Sequence, residues 1–221
     1  MKIENIKKSY GKHAVLRGIS FDAKSGECIG ILGGNGSGKS TLLNILAGVI
    51  HADSGSFSYE SRELLRDPVL RGSVVGYVPQ GTPLFEELTA FDNLRLWYKK
   101  DEIERELNGG VLSMLGIGDF LKVSVGKMSG GMKKRLSIGC SVAGKPKILL
   151  LDEPSAALDL VAKESICEYI RDFKARGGIV VIATHDVGEL PLCDRLFLLK
   201  DGELLPYEFK GDVSDIVGRL K

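Results

Sequence analysis

Polar and apolar residues alternate along the first part of the chain, in short runs separated by glycine-containing turns. Residues 2–9 alternate up to a turn at 10–12, and two further runs follow at 14–16 and 19–23. Alternation with a period of two is typical of strands that bury one face. We therefore predict an N-terminal antiparallel β lobe, which residues 55–59 join as a further strand.

Apolar runs without alternation occupy residues 27–32, 73–78, 148–151 and 179–183. Continuous apolar runs of this length are typical of central parallel strands, which are buried on both faces. Residues 161–174 lie between the last two runs and carry apolar residues at helical spacing. The order strand, helix, strand is that of a parallel crossover. We predict an α/β core built on a mainly parallel sheet.

Between residues 82 and 144 the apolar period becomes helical. Thr89 is predicted to cap a helix in which Leu94 and Trp97 fit a core stripe better than they fit a partner surface, the alternative for both. A second helix is predicted over residues 103–115. We expect these residues to form a helical lobe inserted into the α/β core.

Charge is nearly balanced in this chain of 221 residues, with 30 Lys and Arg against 29 Asp and Glu. No overall field attracts a polyanion, so a nucleic-acid partner is not expected. The basic run 133–135 is interpreted as a solvated helix face rather than as a nucleic-acid patch.

The four cysteines are scattered, with no C-x-x-C pair. This pattern favours small buried apolar residues in a reducing compartment over a metal site or a disulfide framework. The first residues lack the apolar region of a signal peptide, and the longest apolar runs have the length of strands. We expect a cytoplasmic protein that is soluble by itself.

The segment 33–41 reads GGNGSGKST and directly follows the apolar run 27–32. It contains the phosphate-loop pattern G-x-x-x-x-G-K-[ST]. Its glycines allow positive φ and inward-pointing N–H groups, Lys39 reaches the β- and γ-phosphates, and Ser40 ligates Mg²⁺. The helix over 40–47 adds the positive end of its dipole. The predicted nucleotide-binding residues here are Gly33, Gly34, Asn35, Gly36, Ser37, Gly38, Lys39, Ser40 and Thr41.

Two further segments contain candidate ligand-binding residues. Asp152 and Glu153 end the apolar run 148–151, where a parallel sheet binds its ligand, and they fit Mg²⁺ binding and water activation. Alone, they also fit an ordinary acidic turn. Ser129 with Gly130 and Gly131 precedes a predicted helix and fits a second anion site, although a plain capped helix has the same pattern.

Taken in order, these motifs resemble those of the ABC (ATP-binding cassette) ATPase family over nearly the whole chain. The matches are Tyr10 with the aromatic residue that stacks on adenine, residues 33–41 with Walker A, Gln80 with the Q-loop, residues 129–132 with the signature, Asp152 and Glu153 with Walker B, residues 155–159 with the D-loop, and His185 with the switch histidine.

The resemblance implies an α/β P-loop NTPase fold, ATP and Mg²⁺ as ligands, and ATPase activity. It implies one nucleotide-binding domain over 1–221, with a β lobe and a RecA-like ATP-binding core in 1–81 and 145–221, and a helical subdomain in 82–144 that holds the signature. The implied roles are catalysis by Lys39, Glu153 and His185, binding of Mg²⁺ by Ser40, Gln80 and Asp152, and nucleotide contacts by Tyr10, Ser129, Gly130, Gly131 and Asp159.

The resemblance also implies two partners. One is a second cassette, paired head to tail so that each ATP lies between Walker A of one chain and the signature of the other. The other is an integral membrane permease, which would hold the chain peripherally on the inner face of the cell membrane. Leu84 and Phe85, apolar residues in a loop, fit a docking surface and ordinary packing equally well.

Met132 stands where the signature usually has Gln. The form SGGMKKRLS resembles the branch that exports drugs, lipids or polysaccharides, so an exporter is expected. A soluble ABC ATPase for macromolecular assembly, such as iron–sulfur cluster assembly, is the alternative. A binding module that no longer hydrolyses ATP is a third possibility, against which Lys39, Asp152, Glu153 and His185 argue.

Overall fold

Two β-sheets and the helices packed on them organise the computed structural model, which describes residues 1–156 and 158–220. The strands are β1 (Lys2–Tyr10), β2 (His13–Asp22), β3 (Cys28–Leu32), β4 (Ser54–Tyr59), β5 (Arg62–Glu63), β6 (Val75–Val78), β7 (Ile148–Asp152), β8 (Ile179–Thr184), β9 (Arg195–Lys200) and β10 (Glu203–Tyr207). The α-helices are α1 (Lys39–Ala47), α2 (Pro68–Val74), α3 (Ala90–Arg95), α4 (Lys100–Leu107), α5 (Val111–Met114), α6 (Gly130–Ser141), α7 (Leu160–Ala175) and α8 (Val213–Leu220).

The smaller sheet has the strand order β2-β1-β4-β5, and its pairs are antiparallel. This confirms the predicted N-terminal β lobe, including the strand at residues 54–59. The two short runs predicted at 14–16 and 19–23 are in fact one strand, β2. Its pairing with β1 continues across bulges at Asn5 (φ +52°) and Gly18 (φ +130°), so the alternation shifts without ending the strand.

The larger sheet has the order β10-β9-β3-β8-β7-β6 and is parallel apart from the terminal β9–β10 hairpin. Every residue of β3, β7 and β8 is buried, as their continuous apolar runs predicted. Leu149 and Leu151 pack toward the helices of the 90–142 region, whereas Ile148 and Leu150 pack toward α1 and the smaller sheet. The predicted α/β fold is thus confirmed.

Three of the predicted elements are wrong in detail. Residues 73 and 74 belong to helix α2, because Pro68 at its first position and the cap by Asp67 start a helix that runs to Val74. The helix predicted over 103–115 is broken into α4 and α5 at Gly109, which has φ +102°. Trp97 lies beyond the end of α3 and is 65% exposed, although Leu94 is buried as expected.

Among the described helices, none combines the length and the apolar character needed to cross a bilayer. The four cysteines are free thiols. Cys28 and Cys140 are buried as expected, but Cys167 and Cys193 are only partly buried.

Candidate nucleotide-binding and hydrolysis site

The loop between β3 and α1 forms the floor of the site. Gly36 (φ +79°) and Gly38 (φ +105°) take left-handed conformations, and Gly38 caps α1, which begins at Lys39. The expectation that Gly33 and Gly34 also need positive φ is wrong. Gly33 is required for space instead, because a Cβ there would collide with the Ser37 hydroxyl and with the Leu199 carbonyl at 2.9 Å.

Lys39 lies inside this loop. Its Nζ donates hydrogen bonds to the carbonyls of Gly33 (2.7 Å) and Gly34 (3.2 Å), and the residue is only 6% exposed. Burial lowers the pKa of Lys39, and the nearby carboxylates of Glu153 and Asp152 oppose that change. The loop therefore holds a desolvated positive charge beside two acidic groups, a setting suited to a triphosphate.

Asp152 ends β7 and is buried. Burial raises the pKa of its carboxyl group, whereas the nearby Ser40 hydroxyl and the charges of Lys39 and Lys134 oppose the rise. Its Oδ1 atom has no hydrogen-bond partner among the described residues. A buried oxygen without a donor is costly unless a cation or ordered water meets it.

Glu153 is the centre of the site. Its Oε2 accepts a hydrogen bond from Nε2 of Gln80 (3.0 Å), and its Oε1 lies 2.9 Å from Nδ1 of His185. The residue has φ +48°, a strained value for a side chain of this size, and its N–H donates to the Ala183 carbonyl at 2.8 Å. The structure thus brings three of the predicted residues into contact.

The signature segment packs against the first turn of α7, which directly follows the D-loop. Ser129 caps α6 and accepts a hydrogen bond from the Met132 N–H (3.2 Å), while Asp159 caps α7. A Cβ on Gly131 would lie 2.7 Å from Cβ of Ala162, so α6 and α7 meet closely here. Within residues 1–156 and 158–220, no hydrogen bond or ion pair joins residues 129–131 to the phosphate loop. Ala157 of the D-loop lies outside the described residues.

Tyr10 stands at the end of β1 and is 53% exposed. The ammonium of Lys8 lies 5.5 Å from its ring centroid, a cation–π distance. Asn35 is also exposed, whereas Thr41 is half-buried in α1. Tyr10 therefore presents an accessible aromatic surface, as stacking on a base would require.

Residues 16–156 match the family described as ABC transporter. The chain belongs to the ABC transporter family. The linearmycin resistance ATP-binding protein LnrL of Bacillus subtilis is 33% identical to this cassette over 99% of the chain and 72% of LnrL. The lantibiotic transport ATP-binding protein SrtF of Streptococcus pyogenes is 33% identical over 93% of the chain and 89% of SrtF.

A solved ATP-binding cassette, dimeric and bound to ADP and Pi after hydrolysis, has the same fold. Its TM-score to this chain is 0.82 at 29% identity, covering 96% of this chain and 99% of that one. Membership in the ABC family makes the protein an ATP-binding ATPase, as the sequence predicted.

Sequence reasoning missed two residues of this ABC cassette. Lys134 was assigned to a solvated helix face, but it is 4% exposed and donates to the carbonyls of Pro79 (2.9 Å) and Gln80 (3.0 Å). Helical spacing could have revealed this, because Lys134 shares a face with the buried Ser137 and Ile138.

The second missed residue is Glu189, which is 3% exposed and accepts hydrogen bonds from the N–H (2.9 Å) and the hydroxyl of Ser155. Burial raises its pKa, and the hydrogen bonds from Ser155 oppose the rise. Close by, Lys163 pairs with Asp186 at 2.9 Å and holds the pKa of that carboxyl below its usual range. These contacts tie the D-loop to the segment that follows His185, and no signal in a single sequence would have shown them.

Proposed function

We propose that this chain is the ATP-hydrolysing subunit of a membrane exporter and that it energises a separate integral membrane permease. The observation that carries the proposal is the contact of Glu153 with both Gln80 and His185, next to the buried Lys39 and Asp152. The names of LnrL and SrtF, which refer to linearmycin resistance and to lantibiotic transport, favour export.

Within one site, Glu153 orients or deprotonates the attacking water, and His185 holds Glu153 while contacting the γ-phosphate. Lys39 stabilises the charge of the transferring phosphoryl group, and the ring of Tyr10 stacks on adenine. The support is that one carboxylate lies within hydrogen-bond distance of two positioning groups. The remaining phosphate contacts in this proposal come from Gly33, Gly34, Asn35, Gly36, Ser37, Gly38, Ser40 and Thr41.

Mg²⁺ fits the residues present. The buried Oδ1 of Asp152 lacks a donor among the described residues, and the nearby Ser40 hydroxyl favours the ionised form of the same carboxyl group by lowering its pKa. Mg²⁺ sites in nucleotide enzymes use one or two protein ligands together with phosphates and waters. We assign Asp152, Ser40 and the Gln80 amide to the ion, which when bound neutralises charge on the phosphates.

A second cassette completes the site in this proposal. Ser129, Gly130 and Gly131 would bind the γ-phosphate held by the partner's phosphate loop, with Asp159 next to them at the interface. The absence, among the described residues, of any bond between this segment and the chain's own loop supports an action across an interface. Two positive helix ends repel until a triphosphate lies between them, so ATP should drive pairing.

The permease would dock at a groove of about 510 Å³ lined by Pro79, Leu84 and Trp97. It lies where the proposed helical subdomain (82–144) meets the proposed ATP-binding core (1–81 with 145–221). Trp97 is 65% exposed, and Phe85, which follows the lining residue Leu84 in the chain, is 59% exposed. Exposed apolar groups of this size mark interaction surfaces. Docking there would place the chain on the cytoplasmic face of the membrane.

The test is to recover a tagged chain from gently solubilised membranes of its source and to identify what accompanies it. A polytopic membrane protein should co-purify, and Phe85→Ser should reduce its recovery. Leu205→Ser supplies the control, because Leu205 is 49% exposed but lies on β10, at the opposite edge of the larger sheet from β6, whose residues line the groove. ATP-dependent accumulation of cargo in inside-out vesicles that hold both proteins would establish export.

The outcomes separate the candidate functions. Recovery only in the soluble fraction, with cytosolic assembly factors, would favour a soluble ABC ATPase such as one for iron–sulfur cluster assembly. Release of cargo from the inside-out vesicles instead of accumulation would mean import.

A further inference from the structure

We propose that Lys134 is a positioning residue for ATP hydrolysis, which holds the main chain at Gln80 so that the Gln80 amide meets Glu153. The inference rests on the proposed function, in which Glu153 acts on the attacking water. Helix α6, which carries the signature, is thereby linked through Lys134 and Gln80 to the carboxylate of Glu153.

The link begins in the second turn of α6. Nζ of Lys134 donates to two consecutive carbonyls, those of Pro79 (2.9 Å) and Gln80 (3.0 Å), which lie 55 and 54 residues away in the chain. These carbonyls follow the end of β6, where the sheet no longer supplies donors. Among the described residues, no backbone N–H donates to either of them. The ammonium of Lys134 therefore supplies the hydrogen bonds that the carbonyls of Pro79 and Gln80 do not receive from the sheet.

The link continues through the Gln80 side chain. Its Nε2 donates to Oε2 of Glu153 at 3.0 Å, so two successive hydrogen-bonded steps connect Lys134 with Glu153. Glu153 itself is anchored to β8 through its N–H. A shift of α6 relative to the sheet would therefore pull on Gln80 while Glu153 stays in place, and would change the distance between the two side chains.

The cost of burying Lys134 argues that its charge has a use. Lysine is almost never fully buried unless it is paired, because removing an ammonium from water is expensive. Within the part of the chain that the structure describes, no carboxylate lies within ion-pair distance of Lys134. Its direct hydrogen-bond partners are neutral carbonyls. The more distant carboxylates of Asp152, Glu189 and Glu153 favour the charged form of Lys134. An apolar residue would fill the same space at lower cost if packing alone mattered.

The adjacent residue provides a matched control. Lys133 is on the same helix, but its ammonium pairs with the exposed Glu86 at 2.9 Å. Lys133→Met and Lys134→Met make the same chemical change, and only the second removes the bonds to residues 79 and 80.

The experiment compares four variants of the full chain with the wild type: Lys133→Met, Lys134→Met, Gln80→Ala and the double variant Lys134→Met/Gln80→Ala. Phosphate release gives kcat and KM, and a fluorescent ATP analogue gives nucleotide affinity. We expect Lys134→Met to lower kcat by about tenfold or more, with nucleotide affinity changed by less than about twofold. In the Gln80→Ala background the same substitution should have no further effect on kcat, because its path to Glu153 is already cut. Lys133→Met should match the wild type.

The proposal would be overturned if the double variant lost kcat by the product of the two single-variant factors, since the residues would then act independently. It would also be overturned if Lys134→Met had the same kcat as Lys133→Met. If Lys134→Met does not fold, Lys134→Gln replaces it. Its amide can donate to one of the two carbonyls, so the same cycle with Gln80→Ala decides the question. The proposed function fails separately, if Glu153→Gln hydrolyses ATP as fast as the wild type.

Discussion

His185 and Glu153 meet at the ends of two neighbouring parallel strands, with 2.9 Å between Nδ1 and Oε1. An ionised carboxylate only accepts hydrogen bonds, so Nδ1 of His185 is the donor. The contact exists because β7 and β8 run side by side and each carries its polar residue just past its last paired position. Gln80 reaches the other oxygen of the same carboxylate from beyond β6. Three adjacent strands thereby converge on one side chain.

We predict that Glu153→Gln stops hydrolysis but not ATP binding. The amide keeps the size of the side chain and loses the basic oxygen, so phosphate release should fall by a factor of about 10² or more. The bound triphosphate would then persist, and a dimer should accumulate on size exclusion with ATP and Mg²⁺. Wild-type protein under the same conditions should run mainly as monomer. A variant that stays monomeric at saturating ATP would contradict closure between two copies of this chain.

We predict that Gly130→Asp prevents this ATP-driven dimer without weakening ATP binding to the monomer. A Cβ on Gly130 would meet only Leu158 at 3.9 Å, so the protomer has room for the new side chain. The added carboxylate would repel the partner's γ-phosphate. The measurement is size exclusion in the Glu153→Gln background, together with the ATP affinity of dilute protein. Gly130→Ala is the neutral control and should still dimerise.

In that experiment, a parallel loss of ATP affinity in dilute Gly130→Asp protein would show that the signature segment acts on nucleotide within its own chain. Gly131 is unsuitable for the test, because Ala162 leaves no space for any side chain there. The choice of position therefore depends on the packing of α6 against α7.

Sequence patterns predicted the central strands well, because a strand buried on both faces must be apolar throughout. They failed where one local feature decided the outcome. The cap by Asp67 and Pro68 extended α2 into an apolar run, and Gly109 divided a helix whose apolar spacing continued across the break. The period of a pattern reports which face is buried, but it does not report where an element ends.

The residues of the candidate site likewise fall into those that the sequence identified and those that it did not. Motif order singled out Gln80, Glu153 and His185, which are far apart in the chain and in contact in the structure. Lys134 and Glu189 escaped notice because their partners lie in other segments of the chain, and most of those partners are backbone groups. The residue type of a lysine or glutamate shows neither its burial nor its partners.

Trp97 offers a direct probe of the proposed docking groove, since it is the single tryptophan of the chain and is 65% exposed. In the isolated protein its fluorescence should be red-shifted and readily quenched by acrylamide. When the membrane partner is bound, the emission should shift to the blue and quenching should weaken, because the indole leaves water. Weak quenching in the isolated chain, or unchanged quenching in the complex, would contradict docking at this groove. Trp97→Phe in complex with the partner provides the background signal.

The buried carboxyl group of Glu189 should make the stability of the fold depend on pH. Burial raises its pKa in the folded state above its ordinary value. A carboxyl with a raised pKa contributes stability that is complete below its unfolded pKa and is lost as the pH rises through its folded pKa. Glu189→Gln removes the ionisation and keeps a carbonyl oxygen for the Ser155 N–H and hydroxyl.

The free energy of unfolding of Glu189→Gln, relative to the wild type, should therefore increase as the pH rises above about 4.5. Urea denaturation at several pH values measures it. Glu104→Gln, at an exposed position of α4, corrects for the change in net charge. If the difference between Glu189→Gln and the wild type falls or stays constant over this range, the pKa of Glu189 is not raised in the folded state, and its hydrogen bonds with Ser155 match or outweigh the cost of burial.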